Sequence, residues 1–251
     1  MLKEYLKRLA DGFRDALGTS ERISAQKFPE KISELYSAGK QAEYDAFWDK
    51  FQNNGARVNY TYGFAGWTWF TEIEPKHPLY NITAVDSMFY NCNYLQSLPT
   101  MTFAGAVSGY CMFNFCSRLT EVNQEIPIKG DCHAMFNYCP YLTKINKLVN
   151  NGVTRWTTST FADCDRLQEL IIEGDSINTA FYLNACKSLN KASIANTVNM
   201  LSGSTSGISC TFSKTAVNKA FETSEGANDG STSDEWKSLV ATKSNWTISL
   251  V

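Results

Sequence analysis

Eight cysteines and two histidines are the residues of this chain best suited to chemistry, as zinc ligands, nucleophiles or disulfide partners. Cys132, His133 and Cys139 form the closest group, but adjacent ligands without any Cys-x-x-Cys pair fit a structural zinc site poorly. His77 stands between Pro75 and Pro78 in a segment that favours a loop. The sequence therefore nominates no metal ligand, whereas disulfides stay an alternative because the number of cysteines is even.

Motifs with a known catalytic mechanism are not found in the sequence. It contains no Gly-x-Ser-x-Gly elbow, no His-Glu-x-x-His segment and no phosphate-binding loop. The acidic residues are scattered, so no pair of carboxylates can be assigned to glycoside hydrolysis. We expect a non-enzymatic protein that needs no cofactor.

Composition narrows the classes of partner. The net charge is −2 and no basic run stands out, which argues against binding to nucleic acid. Hydrophobic residues make up 43% of the chain, yet no stretch approaches the roughly 20 apolar residues of a membrane span. The first eight residues are amphipathic and lack the apolar centre of a signal peptide, so we expect no export signal in this chain.

The spacing of the cysteines reveals an internal repeat, Phe-x-x-Cys-x-x-Leu. Its steps are 24, 23, 25 and 22 residues, and Leu183 replaces Phe in the last copy. The repeated cysteines are Cys92, Cys116, Cys139, Cys164 and Cys186. A degenerate copy with Trp67 in the cysteine position precedes them, as expected of a terminal repeat.

The repeat predicts one structural unit that cannot fold alone. Phe, Cys and Leu at this spacing fall on one face of a short helical turn, and an apolar position three residues later begins a short strand. That apolar position is occupied by Leu98, Val122, Ile145, Leu170 and Ala192. Stacked units bury these residues against one another, with the strands in a parallel sheet and the cysteines as inward packing residues. The segment 152–158 shows no clear strand pattern.

The segment ITAVDSMFYNCNYLQSLP, residues 82–99, closely resembles the BspA-like leucine-rich repeats and related repeats of bacterial surface proteins. The resemblance covers roughly residues 60–195. It implies an α+β repeat fold: a leucine-rich-repeat-type solenoid of about 5–6 short repeats.

The first 55 residues predict helices. Leu2, Leu6, Leu9, Phe13 and Leu17 recur at helical spacing, and Gly18 ends the run. Two further helices are expected, one beginning near Pro29 and one carrying Trp48 and Phe51. This helical region either caps the solenoid or attaches it to copies of itself or to a scaffold.

The segment from Leu6 to Ile32, which includes Leu9, Phe13 and Pro29, is similar to one found in tail and baseplate proteins of bacteriophages and prophages, ahead of varied C-terminal modules. The similarity implies attachment to other virion proteins and delivery of a binding module. It also implies that the protein belongs to a virion assembled in the bacterial cytoplasm.

The C-terminal part predicts a different cap. Thr232-Ser233-Asp234-Glu235 has the form of a capping box ahead of Trp236, Leu239 and Val240, and Trp246, Ile248 and Leu250 alternate as in a strand. Such a helix and strand would cover the edge of the last repeat. The expected organisation is a helical attachment region at 1–55, the solenoid at 56–200 and a helix–strand cap at 201–251.

Binding residues are expected among the variable positions between the core residues. The candidates are Tyr90, Tyr94, Arg118, Tyr138, Tyr141 and Arg166. Tyr and Arg are enriched at binding hot spots and aromatic faces suit sugar rings, although such residues can also simply stack along a repeat surface. We therefore expect a virion structural protein, on tail, baseplate or head, that binds a host-surface glycan or protein. The alternative is a bacterial cell-surface adhesin of the leucine-rich-repeat kind.

Overall fold

The computed structural model describes residues 56–68, 70–73, 75, 77–222 and 230–251, with single residues and short runs between Lys7 and Gln52. The five predicted attachment residues, Leu2, Leu6, Leu9, Phe13 and Leu17, lie outside the described residues.

All strands in the described part of the chain pair in parallel, in three sheets. The first sheet contains β1 (Leu79–Ile82) and β2 (Met101–Phe103). The second contains β3 (Val107–Ser108), β4 (Glu121–Asp131), β5 (Lys144–Arg155) and β6 (Glu169–Gly174). The third contains β7 (Phe181–Leu183), β8 (Ile208–Phe212) and β9 (Trp246–Leu250).

Helical residues occur singly or in short runs between Lys7 and Phe51, and the helices with described bounds stand near the C-terminus. They are α1 (Lys191–Met200), α2 (Lys214–Ala220) and α3 (Asp234–Ala241), with a 3-10 turn at Gly230–Thr232. The predicted cap helix and last strand are confirmed as α3 and β9, and the Ser233 hydroxyl accepts a hydrogen bond from the Trp236 N–H at 3.1 Å. The third sheet joins residues on both sides of the domain boundary predicted at residue 200.

The predicted apolar strand position is paired between neighbouring repeats in the second sheet. Ile145 is in register with Val122 on one side and with Leu170 on the other. The prediction is wrong for Ala192, which is exposed on α1 and not part of a strand. It also missed the end of β5, where Gly152 has a φ of +86° and the register shifts, so the alternation of buried and exposed residues is broken.

The repeated Phe-x-x-Cys-x-x-Leu segment forms consecutive tight turns. The prediction of a helical turn is therefore wrong. In one repeat the N–H groups of Met88, Cys92 and Leu95 bond to carbonyls three residues earlier, at 2.8 to 3.2 Å. Ser87 and Asn91 have φ values of 54° and 61°, which a right-handed helix cannot contain. The same left-handed positions recur in other repeats, at Cys111, Phe115, Ala134 and Tyr138.

The core is a continuous ladder of phenylalanine rings. Successive rings lie 5.2 to 5.7 Å apart and within 6° to 14° of parallel. Its members are Phe64, Phe89, Phe113, Phe136 and Phe161. Phe181 meets Phe161 edge-on at 5.9 Å and ends the parallel stack. Because each ring fills the space between its neighbours, the apolar face of one repeat is buried by the next.

The first end of this ladder is covered by aromatic side chains. At the first repeat, Phe51 lies 5.6 Å from Phe64 and Trp48 lies 6.2 Å from Trp67, between ring centroids. Gln52 donates to the Tyr60 hydroxyl at 3.2 Å and to a backbone carbonyl at His77 at 2.9 Å. The predicted third helix therefore contributes a cap to the stack.

At the other end of the second sheet, helix α1 takes the place of a strand. The Ser193 hydroxyl accepts from the Leu170 N–H at 2.9 Å, and the Asn196 side chain accepts from the Ile172 N–H at 2.9 Å and donates to its carbonyl at 3.1 Å. These side chains satisfy the backbone groups of β6 that a further strand would have bonded. The edge is therefore closed by an element that the sequence did not predict.

Candidate binding surface

A backbone ladder fixes each repeat against the next. The N–H groups of Tyr62, Phe64 and Gly66 donate to the carbonyls of Asp86, Met88 and Tyr90, at 2.8 to 2.9 Å. The same three bonds link the next repeats in the series, at 2.8 to 2.9 Å, from Ser87, Phe89 and Asn91 and from Cys111, Phe113 and Phe115. Equivalent side chains of successive repeats consequently stand in columns.

The five repeat cysteines occupy equivalent interior positions, and no cysteine thiol is exposed. All eight are buried and free. Burial raises the pKa of the Cys92, Cys132 and Cys139 thiols to about 12. The thiols are therefore neutral at physiological pH, and within the described residues no group of three His, Cys, Asp or Glu side chains is placed to hold a metal ion.

One surface column contains four of the predicted binding residues. Tyr94, Arg118, Tyr141 and Arg166 occupy the position two residues after the cysteine. The Arg166 guanidinium carbon lies 4.6 Å from the centre of the Tyr141 ring, and that of Arg118 lies 5.6 Å from it. The two arginines come from the repeats on either side of Tyr141.

A second surface column consists of aromatic rings after the phenylalanine. The Phe115 ring lies 5.1 Å from Tyr138 and 6.2 Å from Tyr90. Phe115 thereby links two predicted residues, although it was not itself among the predicted binding residues. The signal was available in the sequence, since Phe115 and Tyr138 occupy the same position of adjacent repeats.

The tyrosines of both columns are exposed in spite of these contacts. Tyr94 and Tyr138 are 54% and 50% exposed, and Tyr141 is 42% exposed. Within the described residues, Tyr94 has no ring or cation stacked on it. The structure thus brings Arg118, Tyr141 and Arg166 into contact, joins Tyr90 to Tyr138 through Phe115, and leaves the Tyr94 ring open.

The second sheet differs from these columns, because most of its exposed charges are paired. Lys147 lies 2.8 Å from Glu125 and 3.1 Å from Glu173, which raises the Lys147 pKa. Lys144 and Glu169 pair at 3.1 Å. Cross-strand pairs of this kind solvate a sheet face and leave little net charge for a ligand.

Comparison with known families identifies the repeat. A family model described as the BspA type leucine-rich repeat region, in six copies, matches residues 60–168 and 83–214. The chain belongs to the BspA-type leucine-rich repeat family. Membership agrees with the parallel strands and the recurring turns described above, and it indicates a repeat-based binding or surface module.

No curated protein and no solved structure matches this BspA-type chain. The family match begins at residue 60, so the similarity of the Leu6–Ile32 segment to phage tail and baseplate proteins stays a prediction. Among the helices that the structure describes, none has the length and apolar character to cross a membrane.

Proposed function

We propose that this BspA-type protein is a non-enzymatic structural component of a phage or prophage virion, on tail, baseplate or head. Its repeats form a leucine-rich-repeat solenoid that presents tyrosines and arginines to the host surface. The contact of Tyr141 with Arg118 and Arg166 is the observation that carries the binding role, because it groups predicted binding residues in one exposed column. The virion role is supported by the similarity of the Leu6–Ile32 segment to phage tail and baseplate proteins.

Binding is favoured over catalysis because the reactive side chains of the repeats are buried or in contact with other side chains. The cysteines are buried with raised pKa values, and His133 lies against Tyr110 and Thr157, at 5.6 Å between rings and 3.3 Å to the hydroxyl. Aromatic and guanidinium groups are left at the surface, and these supply contact area and hydrogen bonds without a reacting centre.

The virion role is tested by mass spectrometry of purified virions from the source. The chain should be present in stoichiometric amount, and its absence from virions would remove this half of the proposal. A variant lacking residues 1–18 should then fail to enter virions. It retains Trp48 and Phe51, which cap the first repeat, and loses Ala10 from the same buried cluster, so it should still unfold cooperatively at a slightly lower melting temperature.

The binding role is tested with Tyr94, Arg118 and Tyr141 changed together to Ala. These side chains are exposed, so the variant should keep a cooperative unfolding transition while adsorption to host cells falls. An unchanged adsorption curve would exclude this column as the binding surface.

A second candidate is a bacterial cell-surface adhesin. It is supported by the resemblance of residues 82–99 to repeats of bacterial surface proteins, and membership of the BspA-type family is compatible with a surface module. Fractionation of the source cells separates the two candidates, because an adhesin would label with membrane-impermeant reagents on intact cells that carry no phage particles.

A further inference from the structure

Arg118 and Arg166, like Lys129 on β4, have no carboxylate partner among the described residues, in contrast to several other cations of the repeat region. Four other cations lie 2.8 to 3.1 Å from a carboxylate oxygen, namely Lys144, Lys147, Arg155 and Lys187. No carboxylate in the described part of the chain forms an ion pair with Arg118 or Arg166. Two uncompensated positive charges therefore stand in one column of the surface.

The contact with Tyr141 leaves the N–H donors of each guanidinium available. Both arginines lie over the ring, with guanidinium carbons 5.6 and 4.6 Å from its centre. A guanidinium has five N–H donors, and a contact with an aromatic ring pairs none of them with an oxygen acceptor. Neither guanidinium donates to an acceptor within the described residues. A planar fork of this kind matches a carboxylate or a phosphate, and the stacking reduces the side-chain entropy lost on binding.

Tyr94 adds an apolar platform one repeat before Arg118. The two positions lie side by side, since Ser117 donates to the Asn93 carbonyl at 3.1 Å and the Thr120 N–H donates to the Gln96 carbonyl at 3.4 Å. Tyr94 is 54% exposed and its ring face is open. An aromatic face with negative electrostatic potential attracts the C–H groups of a sugar ring.

We infer that the column of Tyr94, Arg118, Tyr141 and Arg166 binds an anionic saccharide. Carboxylate or phosphate groups of the saccharide pair with Arg118 and Arg166, and a sugar ring packs on Tyr94. This inference rests on the proposed function, because it names the ligand class of the same binding surface. An acidic peptide would use the two guanidiniums but has no flat C–H face for Tyr94, so the saccharide accounts for more of the column.

Isothermal titration of the full chain tests the inference with four probes: oligogalacturonate, a glycerol-phosphate oligomer, maltohexaose and oligoglutamate. We expect an anionic saccharide to bind and the neutral maltohexaose not to bind. Arg118→Gln and Arg166→Gln should each weaken Kd by about tenfold or more, the value of a charge-assisted hydrogen bond. Tyr94→Ala should also weaken Kd, and 1 M salt should do so by reducing the screening length to about 3 Å.

Arg155→Gln is the matched control, because the Arg155 guanidinium already pairs with Asp131 at 2.8 Å. Its Kd should equal that of the unchanged protein. Arg166→Lys provides a second variant at the site, in which the charge remains and the planar fork is lost, so an intermediate Kd is expected. Melting temperatures close to that of the unchanged protein show that each variant is folded.

Three results would overturn the inference. The first is that neither anionic saccharide binds. The second is that oligoglutamate binds as tightly as the saccharides. The third is that the Kd is unchanged when Arg118→Gln and Arg166→Gln are combined. A chain that is found in virions and adsorbs to host cells, yet ignores both anionic saccharides, refutes this inference and leaves the proposed function standing. A chain that is not found in virions and does not adsorb to host cells, yet binds the saccharide, refutes the proposed function alone.

Discussion

The thiol of Cys139 donates a hydrogen bond to the carbonyl oxygen of Phe113, 3.2 Å away in the preceding repeat. Cys92, Cys116 and Cys164 make the same bond at 3.1 Å. The Phe113 carbonyl also accepts the N–H of Cys116 from its own turn at 3.0 Å, so both of its lone pairs are used. In these four repeats the position suits a small buried side chain that can donate, which explains cysteine better than apolar packing alone.

Cys139→Ala should lower the free energy of unfolding by about 2 kcal/mol, because it removes buried volume and the S–H donor together. Cys210→Ala is the control, since Cys210 is equally buried and donates to no carbonyl in the described residues. Cys210→Ala should lower the free energy of unfolding by less, about 1 kcal/mol, as measured by urea denaturation. Equal losses for the two variants would show that the inter-repeat bond contributes nothing.

The buried thiols should make the protein less stable at alkaline pH. Burial raises the pKa of Cys92, Cys132 and Cys139 to about 12, against 9.0 for an exposed thiol. Above pH 9 the unfolded chain loses these protons while the folded chain keeps them, so the free energy of unfolding falls as pH rises from about 9 towards 12.

Urea titrations between pH 7.5 and 10 measure this effect, with an expected plateau below about pH 8 and a decline above it. Cys139→Ala removes one of the titrating thiols and should flatten the decline. A stability that is constant across the range contradicts neutral buried thiols.

Ala134→Gly should be neutral or stabilising by up to about 1 kcal/mol, although glycine usually weakens a buried site. Ala134 has a φ of 51°, a conformation that strains an L-residue and suits glycine. Ala216→Gly is the matched control, because Ala216 is equally buried but lies in helix α2. It should cost about 1 kcal/mol or more by thermal or urea unfolding. The same loss at both positions would argue against left-handed strain at Ala134.

Asn196→Ala should destabilise the protein by about 1 to 3 kcal/mol, because both backbone groups of Ile172 lose their partner at the edge of β6. Asn199→Ala is the control on the same helix, where the side chain is exposed, and its effect should stay within about 0.5 kcal/mol. Hydrogen exchange adds a local readout, since the Ile172 amide should exchange faster in Asn196→Ala. Unchanged exchange there would show that the sheet edge is protected by other means.

Much of the fold could be predicted because repeated residues at equivalent positions pack against each other in neighbouring units. Phe113 and Phe136 stack because each occupies the same position of adjacent units. The pattern fails where the neighbouring element is not another repeat. At Ala192 the expected strand is replaced by a helix, and spacing cannot show that Ser193 and Asn196 will bond a sheet edge.

The sequence by itself determined the repeat, its period and its inward residues, since the burial of apolar side chains at fixed spacing is a property of each unit. Only the tertiary structure decided that the units turn through left-handed residues, that the cysteine thiols bond to the preceding repeat, and that Tyr141 lies between Arg118 and Arg166. These features depend on which atoms of different repeats face each other. The hydrogen bonds between repeats set that register, and no pattern within one repeat contains it.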